Sequence, residues 1–145
     1  MKSLNEMRIA LDGRSVNESF ARVAVSAFVA ELDPTIDEIA DIKTAVSEAV
    51  TNCIVHAYKE KVGKIYITVN ICENRVVKIK IRDRGCGIAD IPLAMTPLYS
   101  TAGEERAGLG FAVMESFCDK LKVRSSVGRG TTVTLVKELK ARERC

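Results

Sequence analysis

The chain has 145 residues, of which 47% are hydrophobic and 28% are charged, and this composition excludes a disordered or fibrous protein. Its 22 basic and 19 acidic residues leave a net charge of +3, which excludes a strongly basic nucleic-acid binder, so we expect no direct contact with nucleic acid. Aromatic residues amount to 5% and tryptophan is absent, which argues against a surface that stacks single-stranded bases. The length predicts one domain over residues 1–145.

The cysteines and the apolar runs indicate the compartment in which the protein works. The five cysteines are odd in number and too scattered for a CxxC pair, so we expect free thiols and neither disulfides nor a zinc site. They are Cys53, Cys72, Cys86, Cys118 and Cys145. The first residues lack the apolar run of a signal peptide, and no stretch approaches the roughly 18 apolar residues of a membrane span. We therefore expect a cytoplasmic protein without a membrane contact.

The chain begins with a predicted strand and an amphipathic helix. Apolar and polar residues alternate over Met7–Asp12, which predicts the strand. The capping-box spacing of Ser15 and Glu18 predicts the start of a helix that extends to about Glu31. The predicted apolar face of this helix consists of Val16, Phe20, Val23, Ala27 and Phe28.

A second and longer helix is predicted from Asp33-Pro34, an N-cap followed by a first-turn proline, to near Ala57. Apolar residues recur at helical spacing along this segment, as expected for a helix with one face in a core. The predicted apolar stripe consists of Ile36, Ile39, Ala40, Val46, Ala49, Val50, Cys53 and Ile54.

Beyond Gly63 the apolar period changes to two, which is typical of strands that bury one face. The predicted elements are strands over Ile65–Ile71 and Val77–Arg82 joined at Glu73-Asn74, a short helix near Ala89, a loop over Pro97–Gly110, a helix over Phe111–Phe117, and strands over Leu121–Ser125 and Thr131–Leu139 joined at Val127–Gly130. This order predicts an α/β (α+β) two-layer sandwich, a mostly antiparallel sheet with helices on one face.

Three polar residues on the second helix are candidates for chemistry. Glu48, Asn52 and His56 are spaced i, i+4, i+8 and therefore share one row beside the apolar stripe. A carboxylate one turn from a carboxamide suits a general base beside a hard-oxygen metal ligand. A solvated polar face is the alternative interpretation.

Two glycine-containing segments are candidates for ligand contacts. Asp83-Arg84-Gly85-Cys86-Gly87 follows a strand; its carboxylate suits an exocyclic amine such as that of adenine, and its glycines leave room for a flat ligand. Gly108-Leu109-Gly110 leads into a helix, whose free N–H groups form an anion site. Arg106, in the preceding loop, is placed to reach a phosphate. An ordinary turn and a flexible loop are the alternatives.

Taken in order, these segments resemble the motifs of the GHKL ATPases, the superfamily of DNA gyrase, MutL and the sensor histidine kinases. Glu48–Asn52 resembles the N-box, Asp83–Gly87 the G1 box, Gly108–Phe111 the G2 box, and Gly130-Thr131-Thr132 the Gly-Thr near the end of the domain. Further segments are similar to the anti-sigma factor kinases, most of all to those of sporulation. They are Ser19–Arg22, Leu32–Pro34, Ser47–Asn52 and Gly130–Val133.

The resemblance implies a fold, an activity and a set of partners. The fold is the GHKL, or Bergerat, nucleotide-binding fold. The activity is that of a serine kinase that uses ATP and Mg²⁺ to phosphorylate and inactivate an anti-anti-sigma protein. ADP is the product of this reaction. The same protein binds and inhibits an RNA polymerase sigma factor, and such proteins commonly form a homodimer.

The resemblance also implies a role for each matching residue. Glu48 is the expected general base, Asn52 the Mg²⁺ ligand, and Asp83 the residue that binds the adenine amino group. The remaining expected roles are room for the base at Gly85 and Gly87, phosphate contacts at Arg106, Gly108 and Gly110, an adenine contact at Thr131, support of the helix at His56, and a partner contact at Arg22. Cys86 departs from the family pattern, in which small apolar residues are usual, and is expected to place a thiol near the nucleotide.

Three other functions compete with the kinase hypothesis. A detached catalytic domain of a histidine kinase needs a dimerisation helix pair with a phosphoacceptor histidine, for which the chain has no room. A nucleotide-switched anti-sigma module of the stress-response type does not need the base Glu48. A hydrolytic ATPase of the repair or chaperone kind requires further domains to couple hydrolysis to work.

Overall fold

The computed structural model describes residues 2–59, 61–95 and 109–141. Its helices and strands are β1 (Ser3–Asp12), α1 (Ser15–Val29), α2 (Ile36–Asn52), β2 (Lys64–Cys72), β3 (Val76–Asp83), α3 (Ile91–Ala94), α4 (Leu109–Phe117), β4 (Lys120–Ser126) and β5 (Gly130–Glu138). Short 3-10 turns cover Ala30–Leu32 and Glu73–Arg75, and one π-helical segment covers Cys53–Ala57.

The five strands form one sheet in the order β1-β2-β3-β5-β4, and every neighbouring pair is antiparallel. The alternation of β2 and β3 puts Ile67 opposite Ile81 in the buried layer. Helices α1, α2 and α4 pack in one layer against that face. The predicted two-layer sandwich is confirmed, and each predicted strand is present, although β1 is longer than Met7–Asp12.

Two simpler expectations concern features of the whole chain. Cys53, Cys72, Cys86 and Cys118 carry free thiols, as predicted, and Cys145 lies outside the described residues. No helix in the described part of the chain combines the length and the apolar character required to cross a bilayer.

The predicted apolar face of α1 is wrong. Val16, Phe20 and Val23 point to solvent, with exposed fractions of 73%, 54% and 58%, and Ala27 is exposed as well. The residues that α1 buries are Ala21, Val25, Ser26 and Val29, and Phe28 is partly buried against the core. Small side chains allow α1 to pack closely against α2, so the larger apolar residues of the helix remain on its outer surface.

Both predicted N-caps are wrong, although α1 begins at Ser15 as predicted. Arg14 is the N-cap of α1 and makes no side-chain cap, because the Glu18 carboxylate accepts a hydrogen bond from the Ser47 hydroxyl of α2 instead. Thr35, not Asp33, caps α2: its hydroxyl accepts from the Glu38 N–H at 3.1 Å while the Glu38 carboxylate accepts from the Thr35 N–H at 2.9 Å. Asp33 has a φ of 50°, which is left-handed and unlike the extended backbone of an N-cap.

The predicted stripe of the second helix is correct except at Ile36 and Ala40. Val46, Ala49, Val50 and Cys53 are buried, and Ile39 and Ile54 pack at the edge of the core, but Ile36 and Ala40 are exposed. Ile42 and Ala45, absent from the predicted stripe, are fully buried. The α-helix ends at Asn52 and continues as a π-helical turn, closed by the Tyr58 N–H on the Cys53 carbonyl at 3.1 Å.

We expect truncation of two isoleucines of α2 to change the free energy of unfolding by very different amounts. Ile42→Ala removes a side chain that is 1% exposed and lowers the free energy of unfolding by about 2–5 kcal/mol, because it leaves a cavity in the core. Ile36→Ala, at a side chain that is 85% exposed, changes it by less than about 0.5 kcal/mol. Urea unfolding of both variants measures the difference, and equal losses would contradict the burial described for α2.

Candidate functional site

A cavity of about 460 Å³ opens between α2, α4 and the ends of β3 and β5. Its apolar walls include Ala49, Ile88, Leu93, Phe111 and Val133. Its polar groups are few, and they include Asn52, His56, Asp83 and Thr131. An apolar cavity of this size with a few polar groups is typical of a site for a small organic ligand.

The carboxylate of Asp83 lies at the inner end of this cavity and is only 5% exposed. One of its oxygens accepts hydrogen bonds from the Gly85 N–H at 2.9 Å and the Thr131 N–H at 3.2 Å. Burial raises the pKa of Asp83, and the hydrogen bonds from Gly85, the Cys53 thiol and Thr131 only partly offset that rise. The two backbone donors fix the carboxyl group, so it can present its other oxygen to a ligand amine.

The turn that follows Asp83 is docked onto the end of the π-helical segment. The Arg84 N–H donates to the Tyr58 hydroxyl at 2.6 Å, and the Cys86 N–H donates to the Ala57 carbonyl at 3.0 Å. A Cβ on Gly85 would lie 2.3 Å from that same carbonyl oxygen. Gly85 is therefore required for backbone packing below the cavity, which differs from the expected role of leaving room for the base.

Gly87 has a φ of +77° and lines the cavity, so it combines a turn conformation with a place at the site. A Cβ at this position would also lie 2.2 Å from the Ser126 carbonyl oxygen. The adjacent Cys86 thiol lines the cavity too, 3.4 Å from the His56 carbonyl oxygen. The structure thus places a thiol beside the ligand site.

Ser125 connects the cavity to the hairpin of β4 and β5. Its hydroxyl lies 2.8 Å from the Thr131 hydroxyl, accepts from the Ile88 N–H at 2.7 Å and donates to the Gly130 carbonyl at 3.0 Å. The register pairs Ser125 with Thr131. The sequence analysis missed Ser125; the available signal was that the predicted strands over Leu121–Ser125 and Thr131–Leu139 end and begin at these two residues.

Tyr58 was also missed by the sequence analysis. It is 3% exposed, and its hydroxyl donates to the Lys64 carbonyl at 2.5 Å while accepting from the turn after Asp83. Burial raises its pKa. A Cβ on Gly63 would lie 2.2 Å from the Tyr58 ring, so the glycine before β2 was the available signal of an aromatic ring packed against it.

Asn52 and Gly110 meet at the opposite side of the cavity. A Cβ on Gly110 would lie 2.9 Å from the Asn52 side-chain oxygen, so the glycine allows the first turn of α4 to approach the carboxamide. The described residues contain no cluster of three or more His, Cys, Asp or Glu side chains that could hold a metal by themselves. A single amide oxygen fits Mg²⁺, which binds few protein ligands and completes its shell with phosphates and waters.

The expected site residues are only partly brought together. Among the described residues, the lining of the cavity includes Asn52, Asp83, Gly87, Gly110 and Thr131, and it includes His56 and Cys86. Gly85 and Glu48 are not part of that lining; Glu48 is half-buried on α2, one turn before Asn52. Arg22 lies on α1 and donates to the Ser19 hydroxyl at 3.0 Å. Arg106 and Gly108 lie outside the described residues.

Comparison with known proteins identifies the family of the chain. The family model of the histidine kinase-like ATPase domain matches residues 10–137. A Caldanaerobacter subterraneus protein named anti-sigma F factor is 54% identical over 138 residues, which cover 94% of this chain and 96% of that protein. The anti-sigma F factor of Bacillus subtilis is 52% identical over 137 residues, which cover 93% of both proteins.

Solved structures agree on the fold. A Mycobacterium tuberculosis structure of RsbU and RsbW domains matches with a TM-score of 0.71 at 24% identity, over 97% of this chain and 34% of that one. The histidine kinase domain of a blue-light-activated kinase from Erythrobacter litoralis matches with a TM-score of 0.56 at 17% identity, over 84% of this chain and 60% of that one. The chain therefore belongs to the histidine kinase-like ATPase domain family and, within it, to the anti-sigma F factors.

Proposed function

We propose that this chain binds ATP with Mg²⁺ in the cavity, transfers the γ-phosphoryl group to a serine of an anti-anti-sigma protein, and in a separate complex binds and inhibits an RNA polymerase sigma factor. The observation that carries the proposal is the cavity itself, with the Asp83 carboxylate at its inner end and the Asn52 amide beside α4. Membership of the anti-sigma F factors over nearly the whole chain supports the choice of partners.

The adenine base binds at the inner end of the cavity, where Asp83 lies. The second oxygen of Asp83 accepts a hydrogen bond from the exocyclic amine, and the Thr131 hydroxyl, which contacts Ser125, binds a ring nitrogen directly or through water. Ile88, Leu93 and Val133 supply apolar contact for the ring. Guanine has an acceptor oxygen where adenine has its amine, so a fixed carboxylate at this position discriminates against it.

Phosphoryl transfer depends on alignment and charge neutralisation more than on covalent chemistry. When bound, Mg²⁺ neutralises phosphate oxygens, and Asn52 is the residue that would hold it. Gly110 lies in the first turn of α4, and the N–H groups of a first helical turn favour an anion. Glu48, one turn along α2, takes the proton of the attacking serine as the substrate protein covers the site. The roles expected of Arg106 and Gly108 at the phosphates stay part of the proposal.

We assign the contacts with protein partners to the exposed surface of α1. Val16, Phe20 and Val23 form an exposed apolar stripe at i, i+4 and i+7, which is the surface that we assign to a second copy of this chain. A two-fold axis lets one such stripe pack against its own copy, so a single sequence supplies both sides of the interface. Arg22, next to the stripe, is then placed at the boundary of the dimer, where it contacts the sigma factor or the anti-anti-sigma protein.

A nucleotide-switched binding module that performs no transfer is the second candidate. The observation that favours it is the position of Glu48, which is outside the cavity lining among the described residues. The two candidates differ in one measurable property, because a module of this kind binds ATP and the sigma factor without labelling any serine.

We expect Glu48→Gln to slow transfer of label from radioactive ATP to the anti-anti-sigma protein by about 10²–10⁴-fold, because the substitution removes a general base. Affinity for ATP stays unchanged, since the cavity lining is intact. Glu73→Gln, in the turn between β2 and β3, is the matched control and keeps full activity. Equal transfer by Glu48→Gln and the control would exclude the assigned base, and no transfer by the unmodified chain would favour the switch module.

Asp83→Asn distinguishes the contribution of Asp83 to ligand binding from its contribution to folding. An asparagine oxygen still accepts from Gly85 and Thr131, so the fold is retained, but the amide nitrogen replaces the oxygen that binds the adenine amine. We expect the affinity for ATP to fall by about 10–100-fold, the value of a hydrogen bond to a charged group. The preference for ATP over GTP, measured by calorimetry, falls with it. An unchanged preference would contradict the assignment of Asp83.

The same variant has a defined pH dependence. Because burial raises the pKa of Asp83 in the folded state, the unfolded chain loses this proton at a lower pH than the folded chain does. The unmodified chain therefore loses stability relative to Asp83→Asn as the pH rises from the ordinary pKa through the raised one. Thermal unfolding of both proteins across that range measures the divergence.

Phe20→Glu tests the dimer. We expect it to convert a dimer of the 15.9 kDa chain into a monomer, because it places a charge in the apolar stripe of α1. Val62→Glu is the control, since Val62 is similarly exposed, 51% against 54%, but lies before β2. Light scattering after gel filtration gives the mass of each variant. A dimer that persists in Phe20→Glu would show that another surface holds it.

A further inference from the structure

The face of the sheet opposite the helices has a regular array of cations on its last three strands. β3 contributes Lys78, Lys80 and Arg82, β4 contributes Lys120, Lys122 and Arg124, and β5 lies between them with Val136, Thr134 and Thr132. The register pairs these residues across β5 into three rungs: Lys78–Val136–Lys120, Lys80–Thr134–Lys122 and Arg82–Thr132–Arg124. We call this set the cationic ladder.

The dimensions of the cationic ladder follow from strand geometry. Successive rungs are about 7 Å apart along the strands, and the two cations of one rung are about 9.5 Å apart across β5. Five of the six cations are exposed and Lys78 is half-buried. Within the described part of the chain, none of the six forms an ion pair with a carboxylate. Glu138 is the acidic residue on this face of the same three strands, next to the Lys78 rung, whereas Asp83 belongs to the opposite face.

The cationic ladder costs the fold free energy when no counter-charge is bound. Neighbouring cations lie about one Debye length apart at physiological salt, so they repel one another. The neutral side chains of β5 keep like charges from lying directly opposite each other, which limits the repulsion without removing it. The net charge of +3, from which we expected no direct contact with nucleic acid, conceals this arrangement, because six cations are concentrated on one face of the molecule.

A groove of about 600 Å³ extends the basic surface at the Arg82–Arg124 end. Arg84 and Arg129 line it together with the two arginines of that rung. The Arg82 and Arg84 guanidinium groups lie 5.1 and 5.0 Å from the centre of the Tyr66 ring. The two guanidinium groups therefore cover the Tyr66 ring, so this ring does not serve as a platform for stacking bases.

We propose that the cationic ladder and this groove bind the phosphate backbone of duplex DNA without sequence specificity. Lysine, arginine and threonine side chains are the usual partners of backbone phosphates, and all three line the ladder. Protein interfaces need an apolar or aromatic core, and peripheral membrane binding needs side chains that insert into the lipid. Val136 is the single large apolar side chain in the three rungs, so charge is the dominant property of the ladder.

The test is fluorescence anisotropy of a labelled random-sequence DNA duplex, titrated with the full chain across a series of salt concentrations. We expect log K to fall against log salt with a slope of about −5, from six phosphate contacts. Lys80→Glu combined with Lys122→Glu removes the middle rung, and it lowers the affinity at least about tenfold and the magnitude of the slope by about 2.

The control carries the same change in charge at sites away from the sheet. Lys43→Glu combined with Lys61→Glu replaces a lysine of α2 and a lysine before β2, and we expect it to retain most of the affinity. The neutral variant Lys80→Gln with Lys122→Gln unfolds at the same or a higher temperature, because it relieves repulsion, and it also loses binding. It keeps the test decisive if the charge-reversed variant is poorly folded.

Three results would overturn the proposal. The first is the absence of salt-dependent binding by the unmodified chain. The second is an equal loss of binding in the ladder variant and the control variant. The third is tighter binding to a single strand of the same sequence, or to vesicles rich in phosphatidylserine, than to the duplex.

Discussion

The buried carboxylate of Asp83 is the group on which the rest of the site depends. It stands at the last position of β3 and binds two N–H groups, that of Gly85 in its own turn and that of Thr131 on the next strand. Burial makes its charge unfavourable, and its hydrogen bonds offset only part of that cost. The fold therefore maintains a partly uncompensated acceptor at the end of an apolar cavity, which is what a ligand amine requires.

Backbone contacts, more than side chains, hold this carboxylate in place. The turn after Asp83 packs on the carbonyl of Ala57 and on the Tyr58 hydroxyl, so the end of the π-helical segment and the end of β3 form one unit. The irregular end of α2 thereby has a structural reason: it presents a carbonyl and an aromatic hydroxyl to a glycine-containing turn. Asn52, the last residue of the regular helix, faces the cavity from the same element.

The strands and the sandwich were predictable from the sequence because a period of two has one physical interpretation when a sheet is covered on one side. The faces of α1 and α2 were not, because apolar residues such as Phe20 and Ile36 also occur on surfaces that are not part of the core. Asp83, Asn52 and Gly110 were found from motif order, whereas Tyr58 and Ser125 act through contacts that join distant segments. Periodicity identifies buried faces within one element, and it contains no information on which neighbour covers each element.

The two faces of the sheet are connected through adjacent residues of the same strands. Asp83 and Thr131 line the cavity beside α2 and α4, while their neighbours Arg82 and Thr132 belong to the last rung of the cationic ladder, and β3 pairs with β5 at both positions. A ligand that shifts β5 against β3 on the outer face also changes the distance between the Thr131 N–H and the Asp83 carboxylate. Binding linkage is reciprocal, so any effect of nucleotide on an outer-face ligand is matched by an equal effect of that ligand on nucleotide affinity.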